Sequence, residues 1–234
     1  KQAGLEKLLQ YDAYPRKSMI DHFYDNSATL DSVAENRSME RGDFVGSSYE
    51  AKLRRSESFI QLVMRRDGNA WGIPLSITKS INMSAGSDRL QVHYLLEGVP
   101  QDQEFHFATE WNWAGLPAGA NDRFFFDYMG TKLGHLGERL DLHDAQHVGM
   151  LDQWLGVSVQ MAMSRSTSIW AFPVQTVSQS EGGFEMVHQS VCVMPHWWVR
   201  GDADGLWSVT LDITIAAEHE VRPRVHPTLR ALVV

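Results

Sequence analysis

The stretch that decides the fold is IWAFPVQTVSQSEGGFEMVHQSVCVMP, residues 169–195. Two apolar runs flank a polar middle that contains Gly182 and Gly183. Because glycine accepts positive φ angles without steric cost, this pair predicts a chain reversal between two strands. A reversal needs only the glycines, yet Gln179 and Glu181 stand beside them. An amide and a carboxylate at a sheet edge suit a ligand contact, so the sequence leaves open a plain turn and a binding loop.

Strand-like runs continue on both sides of this hairpin. From Ser48 onward there are about ten short apolar or alternating runs separated by turn residues. One of the predicted turns is the Asp67–Gly68 dipeptide, which is typical of a tight hairpin. Such a series without a long helix predicts an all-β fold, an antiparallel sandwich or barrel.

The first 46 residues follow a different pattern. KQAGLEKLLQ at the start reads as the end of an amphipathic helix. After Pro15, Ser18 is placed to cap a short helical turn that runs through Phe23. Residues 25–46 are polar and without periodicity, which indicates a surface segment or linker. We therefore expect a helical tail and linker over residues 1–46 and a β-sandwich domain over residues 47–234.

Composition narrows the classes of function. The 234 residues carry a formal net charge of −8, and phosphate binding needs a basic surface, so nucleic acid is not an expected partner. No apolar run approaches the length of a membrane span, so no membrane partner is expected either. The single cysteine, Cys192, lies in an apolar run and is expected to be buried; a chain without disulfides fits the cytoplasm. An opening Lys1 is expected of a piece of a longer protein or of a trimmed tag.

Sequence motifs for common catalytic and cofactor sites are missing. There is no Gly-x-Ser-x-Gly elbow and no glycine-rich phosphate loop. His135, His143 and His147 lie close together in the sequence. His143 and His147 have i,i+4 spacing, which places both imidazoles on one face only in a helix. The helical zinc motif has glutamate directly after the first histidine, but here Asp144 occupies that position. We expect this segment to be a loop with surface or structural histidines, and we expect no metal and no cofactor.

The run EFHFATEWNWA, residues 104–114, shows two distinct faces if it is a strand. One face holds Phe105, Phe107, Thr109, Trp111 and Trp113, and we expect it to belong to the core. The other combines histidine, glutamate and asparagine at positions 106, 110 and 112. That second face is either an ordinary solvated surface or a concave, wet surface that binds sugar hydroxyls.

Three stretches resemble a known family. YDAYPRKSMIDHFY at residues 11–24, FHFATEWNW at 105–113 and PVQTVSQSEGGFEMVHQSVCVMPHW at 173–197 are similar to the C-terminal domain of glycoside hydrolase family 57, the α-amylase and 4-α-glucanotransferase-like enzymes. The resemblance implies a large twisted antiparallel β-sandwich of the galactose-mutarotase type. It also implies that the domain packs on a catalytic (β/α) barrel of the same polypeptide, which carries both catalytic carboxylates. No catalytic residue is therefore expected in this chain.

Three functions remain open at this point. The first is a non-catalytic accessory domain that packs on the barrel and binds α-glucan or oligosaccharide; its candidate binding residues are Glu110, Trp111, Asn112, Trp113, Trp170, Gln179 and Glu181. The second is a stand-alone mutarotase or epimerase, which needs an acid and a base within reach of one sugar. Glu110 with His106, or Glu181 with His188, are the candidate pairs. The third is a structural module without a ligand.

Overall fold

The computed structural model of the chain describes residues 12–114, 119–180, 183–218 and 221. The described part is almost entirely strand, with one short helix, as the alternating runs predict. Its elements are β1 (Ile20–Tyr24), α1 (Leu30–Ala34), β2 (Glu50–Arg55), β3 (Phe59–Ala70), β4 (Ile73–Ser84), β5 (Arg89–Glu97), β6 (Phe105–Ala114), β7 (Arg123–Phe126), β8 (Lys132–His135), β9 (Leu140–Asp152), β10 (Val157–Ser180), β11 (Gly183–Val199) and β12 (Leu206–Ala217).

The strands form one antiparallel sheet in the order β1-β6-β11-β10-β12-β5-β4-β3-β2, to which β9, β7 and β8 are attached beside β10. The 24-residue strand β10 organises the sheet. Its first part pairs with β12 and β9, and its last part pairs with β11. Ser180 lies opposite Gly183, so the predicted β10–β11 hairpin is present. Residues 181 and 182, on which the predicted double-glycine turn depends, lie outside the described residues.

The sheet folds over so that distant strands face each other. The rings of Tyr94 on β5 and Phe107 on β6 have centroids 6.1 Å apart, although three strands separate β5 from β6 in the sheet. Phe107 also lies 5.8 Å from Trp207 on β12. These contacts close a large apolar core between two layers. The predicted antiparallel β-sandwich is confirmed.

The segment before residue 47 contributes to this sheet. The helical turn that we predicted from Ser18 to Phe23 is wrong, because Ile20–Tyr24 is a strand that pairs with β6. Its apolar residues Ile20, Phe23 and Tyr24 stand at i, i+3 and i+4, which is the spacing of a helix face. Polarity does not alternate along the strand because both of its faces are buried. The predicted linker contains α1, which Thr29 caps. The division of the chain at residue 46 stays a prediction.

The predicted turn at Asp67 and Gly68 is also wrong. Both residues lie inside β3, and the chain reverses at Trp71 and Gly72, where φ is 55° and 76°. Packing explains the glycine at position 68, because a Cβ atom there would lie 2.8 Å from the Phe44 ring. The dipeptide therefore reflects the close approach of a neighbouring segment, not a reversal of the chain.

Candidate functional site

The two faces of β6 are both covered. Phe105, Phe107 and Trp111 point into the core between the layers, as predicted. The opposite face was expected to be wet, and that expectation is wrong: His106 and Glu110 are 1% and 0% exposed. Residues 12–18 and 25–44, which we call the N-terminal cover, begin over this face, and their last residues reach β3.

Glu110 is the centre of a buried polar network under the cover. Its Oε2 atom accepts a hydrogen bond from the Tyr14 hydroxyl at 2.6 Å and lies 3.1 Å from His22 Nε2. Its Oε1 atom accepts from Arg16 Nη1 at 3.2 Å and from Asn112 Nδ2 at 2.6 Å. Four side chains from three segments thus converge on one carboxylate. Burying a charge is costly unless it is paired and hydrogen-bonded, and this arrangement satisfies both conditions.

A second carboxylate extends the network. Glu40 Oε2 lies 2.9 Å from His22 Nδ1, and Glu40 Oε1 accepts the backbone N–H of Phe23 at 2.7 Å. Both ring nitrogens of His22 therefore face carboxylates, which favours the imidazolium ion. The network joins the cover to β1 and β6 at once.

The charges in the network depend on one another. Burial alone lowers the pKa of His22, but the hydrogen bonds and charges of Glu110 and Glu40 outweigh it and raise that pKa to about 9. Burial alone raises the pKa of Glu110, yet His22, Arg16 and Tyr14 lower it to about 2. At neutral pH the pair is an imidazolium and a carboxylate. A carboxylate held this firmly in its ionised form is a poor general acid.

A separate ion pair lies on the inner side of β1. Asp21 points between the layers and accepts a hydrogen bond from Lys79 Nζ on β4 at 2.7 Å and another from the Tyr49 hydroxyl. Because neighbouring residues of a strand point to opposite faces, Asp21 and His22 anchor β1 on both sides. Our sequence analysis selected neither residue. The signal lay in the IDHFY end of the first family-like stretch.

The seven predicted carbohydrate-binding residues do not lie together. Glu110 and Asn112 are in the buried network, and Trp111 is buried in the core, where its Nε1 donates to Thr109 at 3.0 Å. Trp113 is half-buried against the same core, and Trp170 is buried on the outer face. Glu181 and the side chain of Gln179 lie outside the described residues. Carbohydrate binding by this set stays a prediction.

An accessible indole that the sequence analysis missed lies on the outer face of β11. Trp198 is 48% exposed, and its ring stacks on the ring of His106 at a centroid distance of 4.6 Å. His106 in turn lies 2.9 Å from His196 through Nε2 and Nδ1. Burial lowers the pKa of both imidazoles, to about 4 for His106 and about 3 for His196, so both are neutral at pH 7.

The acid–base pair considered for a mutarotase does not form. His106 and Glu110 are four residues apart on one strand, so their Cα atoms are about 13 Å apart. Glu110 contacts His22 instead. The other candidate pair includes Glu181, which lies outside the described residues.

The histidine-rich segment forms strands β8 and β9 and not the predicted loop. His143 and His147 lie 3.3 Å from Ser168 Oγ and Gln160 Oε1 respectively. Within residues 12–114, 119–180, 183–218 and 221, no group of three or more His, Cys, Asp or Glu side chains is placed to bind a metal ion. Cys192 is fully buried, as predicted. Among the described residues, no helix has the length and apolar character needed to cross a membrane.

Known proteins are similar to this chain in sequence. A sequence model of the family described as α-amylase/4-α-glucanotransferase, C-terminal, matches residues 1–211. A 4-α-glucanotransferase from Thermococcus kodakarensis is 25% identical over 198 residues, which are 85% of this chain and 26% of that protein. An α-amylase from Pyrococcus abyssi is 26% identical over 200 residues, which are 86% of this chain and 27% of that protein. The chain thus spans about a quarter of the length of these relatives.

Solved structures agree at the level of the fold. The 4-α-glucanotransferase of Thermococcus litoralis superimposes with a TM-score of 0.69 at 21% identity, over 92% of this chain and 30% of that one. An Escherichia coli K12 protein proposed to be an aldose 1-epimerase gives a TM-score of 0.50 at 9% identity, over 77% of this chain and 72% of that one. Both share the β-sandwich, and the resemblance seen in the sequence is confirmed. Because the family match extends over most of its length, the chain belongs to the family of C-terminal domains of α-amylases and 4-α-glucanotransferases.

Proposed function

We propose that the chain is a non-catalytic accessory domain of an α-glucan-processing hydrolase or transferase and packs on a preceding catalytic barrel. The observation that carries the proposal is coverage: the chain aligns over most of its own length with about a quarter of each relative. The matching family is a C-terminal one. The catalytic carboxylates are then expected in the preceding part of the polypeptide.

The chemistry of Glu110 supports this role. A retaining glycosidase places two carboxyl groups about 5–5.5 Å apart on either side of the glycosidic bond, where the sugar reaches them. Glu110 is fully buried, and its oxygens are occupied by Tyr14, Arg16, His22 and Asn112. It holds the N-terminal cover on the sheet and has no surface at which a substrate could meet it.

A direct assay separates an accessory domain from a complete enzyme. The purified chain is incubated with maltooligosaccharides, and the products are separated by chromatography. We expect neither cleavage nor transfer, whereas the longer polypeptide encoded by the same reading frame should give one of the two. Glucan cleavage by the chain alone would overturn the proposal. The mutarotase alternative is tested by following the optical rotation of fresh α-glucose with the same sample. We expect the rotation to change at the same rate as in buffer alone.

Glucan binding is the finer part of the proposal. Sugar faces stack on accessible aromatic rings, and Trp198 and the half-buried Trp113 are more accessible than Trp111 or Trp170. Isothermal titration with maltooligosaccharides should show binding that Trp198→Ala or Trp113→Ala weakens. No heat at millimolar sugar, with the chain folded, would favour the structural module.

A further inference from the structure

An apolar surface lies uncovered at the β2–β3–β4 end of the sandwich. Five side chains on the inner face of these strands form it, and we call this surface the apolar ledge: Leu53, Ile60, Leu62, Ile81 and Met83. Three of them, Leu53, Ile60 and Met83, are 62%, 44% and 44% exposed. The inner face of the same sheet is fully buried farther along, so the ledge is the uncovered end of a core surface.

Strand register shows this continuity. Leu53 pairs with Leu62, Leu62 with Ile81, and Ile81 with Val92. Partners in an antiparallel pair point to the same face. Along this row the side chains change from exposed at Leu53, through half-buried at Leu62 and Ile81, to 0% exposed at Val92. The opposite layer of the sandwich covers β5 and stops short of β3 and β2.

The other face of these strands is mostly polar, although Phe59, 44% exposed, and the half-buried Val63 also lie on it. Gln61 donates to Asn82 at 2.9 Å, and His93 contacts Thr210 at 3.1 Å. The strands therefore have the two-sided pattern of a sheet with one face in water and one face in contact with protein. Contiguous exposed apolar surface of this kind marks interaction sites in soluble proteins.

The sheet edge beside the ledge is basic. On the exposed edge strand β2, Arg55 shares the face of the ledge, whereas Lys52 and Arg54 point to the polar face. None of the three forms an ion pair within residues 12–114, 119–180, 183–218 and 221. The whole chain carries a formal net charge of −8. Basic side chains also discourage edge-to-edge pairing of sheets, but that role does not account for the apolar ledge next to them.

We propose that the apolar ledge and the basic edge of β2 form the surface on which the preceding part of the longer polypeptide docks, through an apolar patch with an acidic rim. This inference rests on the proposed function. About three quarters of the length of each relative lies outside the part that this chain matches, so a large partner is attached. The residue before β1 also contacts β4 near the ledge: Lys79 Nζ donates to the Met19 carbonyl at 2.9 Å, and Lys79 is two residues from Ile81.

Hydrogen exchange tests the location of the proposed docking surface. Amide exchange is compared between the isolated chain and the full polypeptide from the same reading frame. In the full polypeptide we expect β2 and β3 amides to exchange at least about tenfold more slowly, because docking adds protection to an exposed edge. The amides of β12 serve as the internal control and should change little.

A matched pair of variants tests the contact. Leu53→Asp with Ile60→Asp places two charges on the ledge, whereas Met129→Asp with Leu155→Asp places two at sites of similar exposure elsewhere. Both should leave the isolated chain folded, because all four side chains are exposed. In the full polypeptide, only the ledge variant should lose the slow exchange of β3.

The outcomes separate the two proposals. A reading frame without a preceding part, or glucan cleavage by the chain alone, would overturn the proposed function and this inference with it. A full polypeptide in which β3 exchanges as fast as in the isolated chain overturns the ledge assignment alone. A full polypeptide that dimerises through the ledge, with the dimer dissolved by the ledge variant in light scattering, shows a second copy as the occupant and also overturns it.

Discussion

The outer face of β6 and the inner face of β3 are opposites. The first is polar and buried, with Glu110 fully covered, and the second is apolar and partly exposed, with Ile60 44% accessible. From side-chain polarity alone, the polar face of β6 would be exposed and the apolar face of β3 would be buried. The difference shows that the burial of a sheet face depends on which segment reaches it, and the N-terminal cover reaches β6 but not the far end of β3.

Each face then needs a different kind of compensation. Under the cover, every charge must find a partner, and Glu110, His22, Arg16 and Glu40 do so within 3.2 Å of one another along the network. On the ledge, apolar side chains remain in water until another protein surface removes them from it. Substitutions on the two faces should therefore have effects on stability that differ in size and in cause.

The largest effect is expected at the centre of the covered face. Glu110→Gln removes the buried charge that His22 and Arg16 share, and leaves them only their second partners, Glu40 and Asp12. Breaking a buried pair in this way costs about 3–5 kcal/mol. Urea unfolding of the chain measures the change. The control is Glu104→Gln, because Glu104 pairs with Arg200 at the surface and its loss should change stability by at most about 1 kcal/mol. A small effect at Glu110 would show that the network does not hold the cover.

Stability should also follow the two shifted pKa values of this network. The folded-state pKa of His22 is raised from 6.5 to about 9, so its contribution is complete below pH 6.5 and is lost as pH rises through 9. The pKa of Glu110 is lowered from 4.5 to about 2, so its contribution is present above pH 4.5 and is lost as pH falls through 2.

Thermal unfolding across this range checks the pH dependence. The pair contributes most between pH 4.5 and 6.5, where both contributions are complete. His22→Gln should remove the decline of stability between pH 6.5 and 9. The exposed His143→Gln should keep it. A decline that survives in the His22 variant would point to another group.

An intermediate effect is expected where the cover reaches β3. Gly68 lies on the same side of β3 as Ile60, but Asp43 and Phe44 pack against it, and an added Cβ would lie 2.4 Å from Asp43 Oδ1. Gly68→Ala should destabilise the chain by about 1–3 kcal/mol through overpacking. Gly72→Asn is the control, because asparagine tolerates positive φ and nothing lies within 4 Å of that site. Equal stability of Gly68→Ala and the parent chain would place the limit of the cover elsewhere.

The smallest effect is expected on the ledge. Leu53→Ala should change the stability of the isolated chain by less than about 0.5 kcal/mol, as at other exposed sites. Val92→Ala in the same row should cost about 2 kcal/mol, because Val92 is fully buried. Chemical denaturation of both variants gives the comparison. A large loss at Leu53 would show that the ledge is already covered within this chain.

Much of the fold was predictable from local patterns. The apolar runs around residues 169–195 predicted the β10–β11 hairpin, and the alternation in EFHFATEWNWA placed Phe105, Phe107 and Trp111 in the core. The site was less predictable. His22 and Tyr14 lie 88 and 96 residues from Glu110 along the chain, and no local pattern relates positions that far apart.

The sequence by itself determined the class of fold and the family, because strand periodicity is local and the three family-like stretches can be read without coordinates. Tertiary structure alone decided which faces are buried. Asp67 and Gly68 have the composition of a turn but lie inside a strand, because Phe44 packs where a side chain would stand. Glu110 has the composition of a surface residue but is fully buried, because Tyr14, Arg16 and His22 supply in the fold the partners that water would otherwise provide.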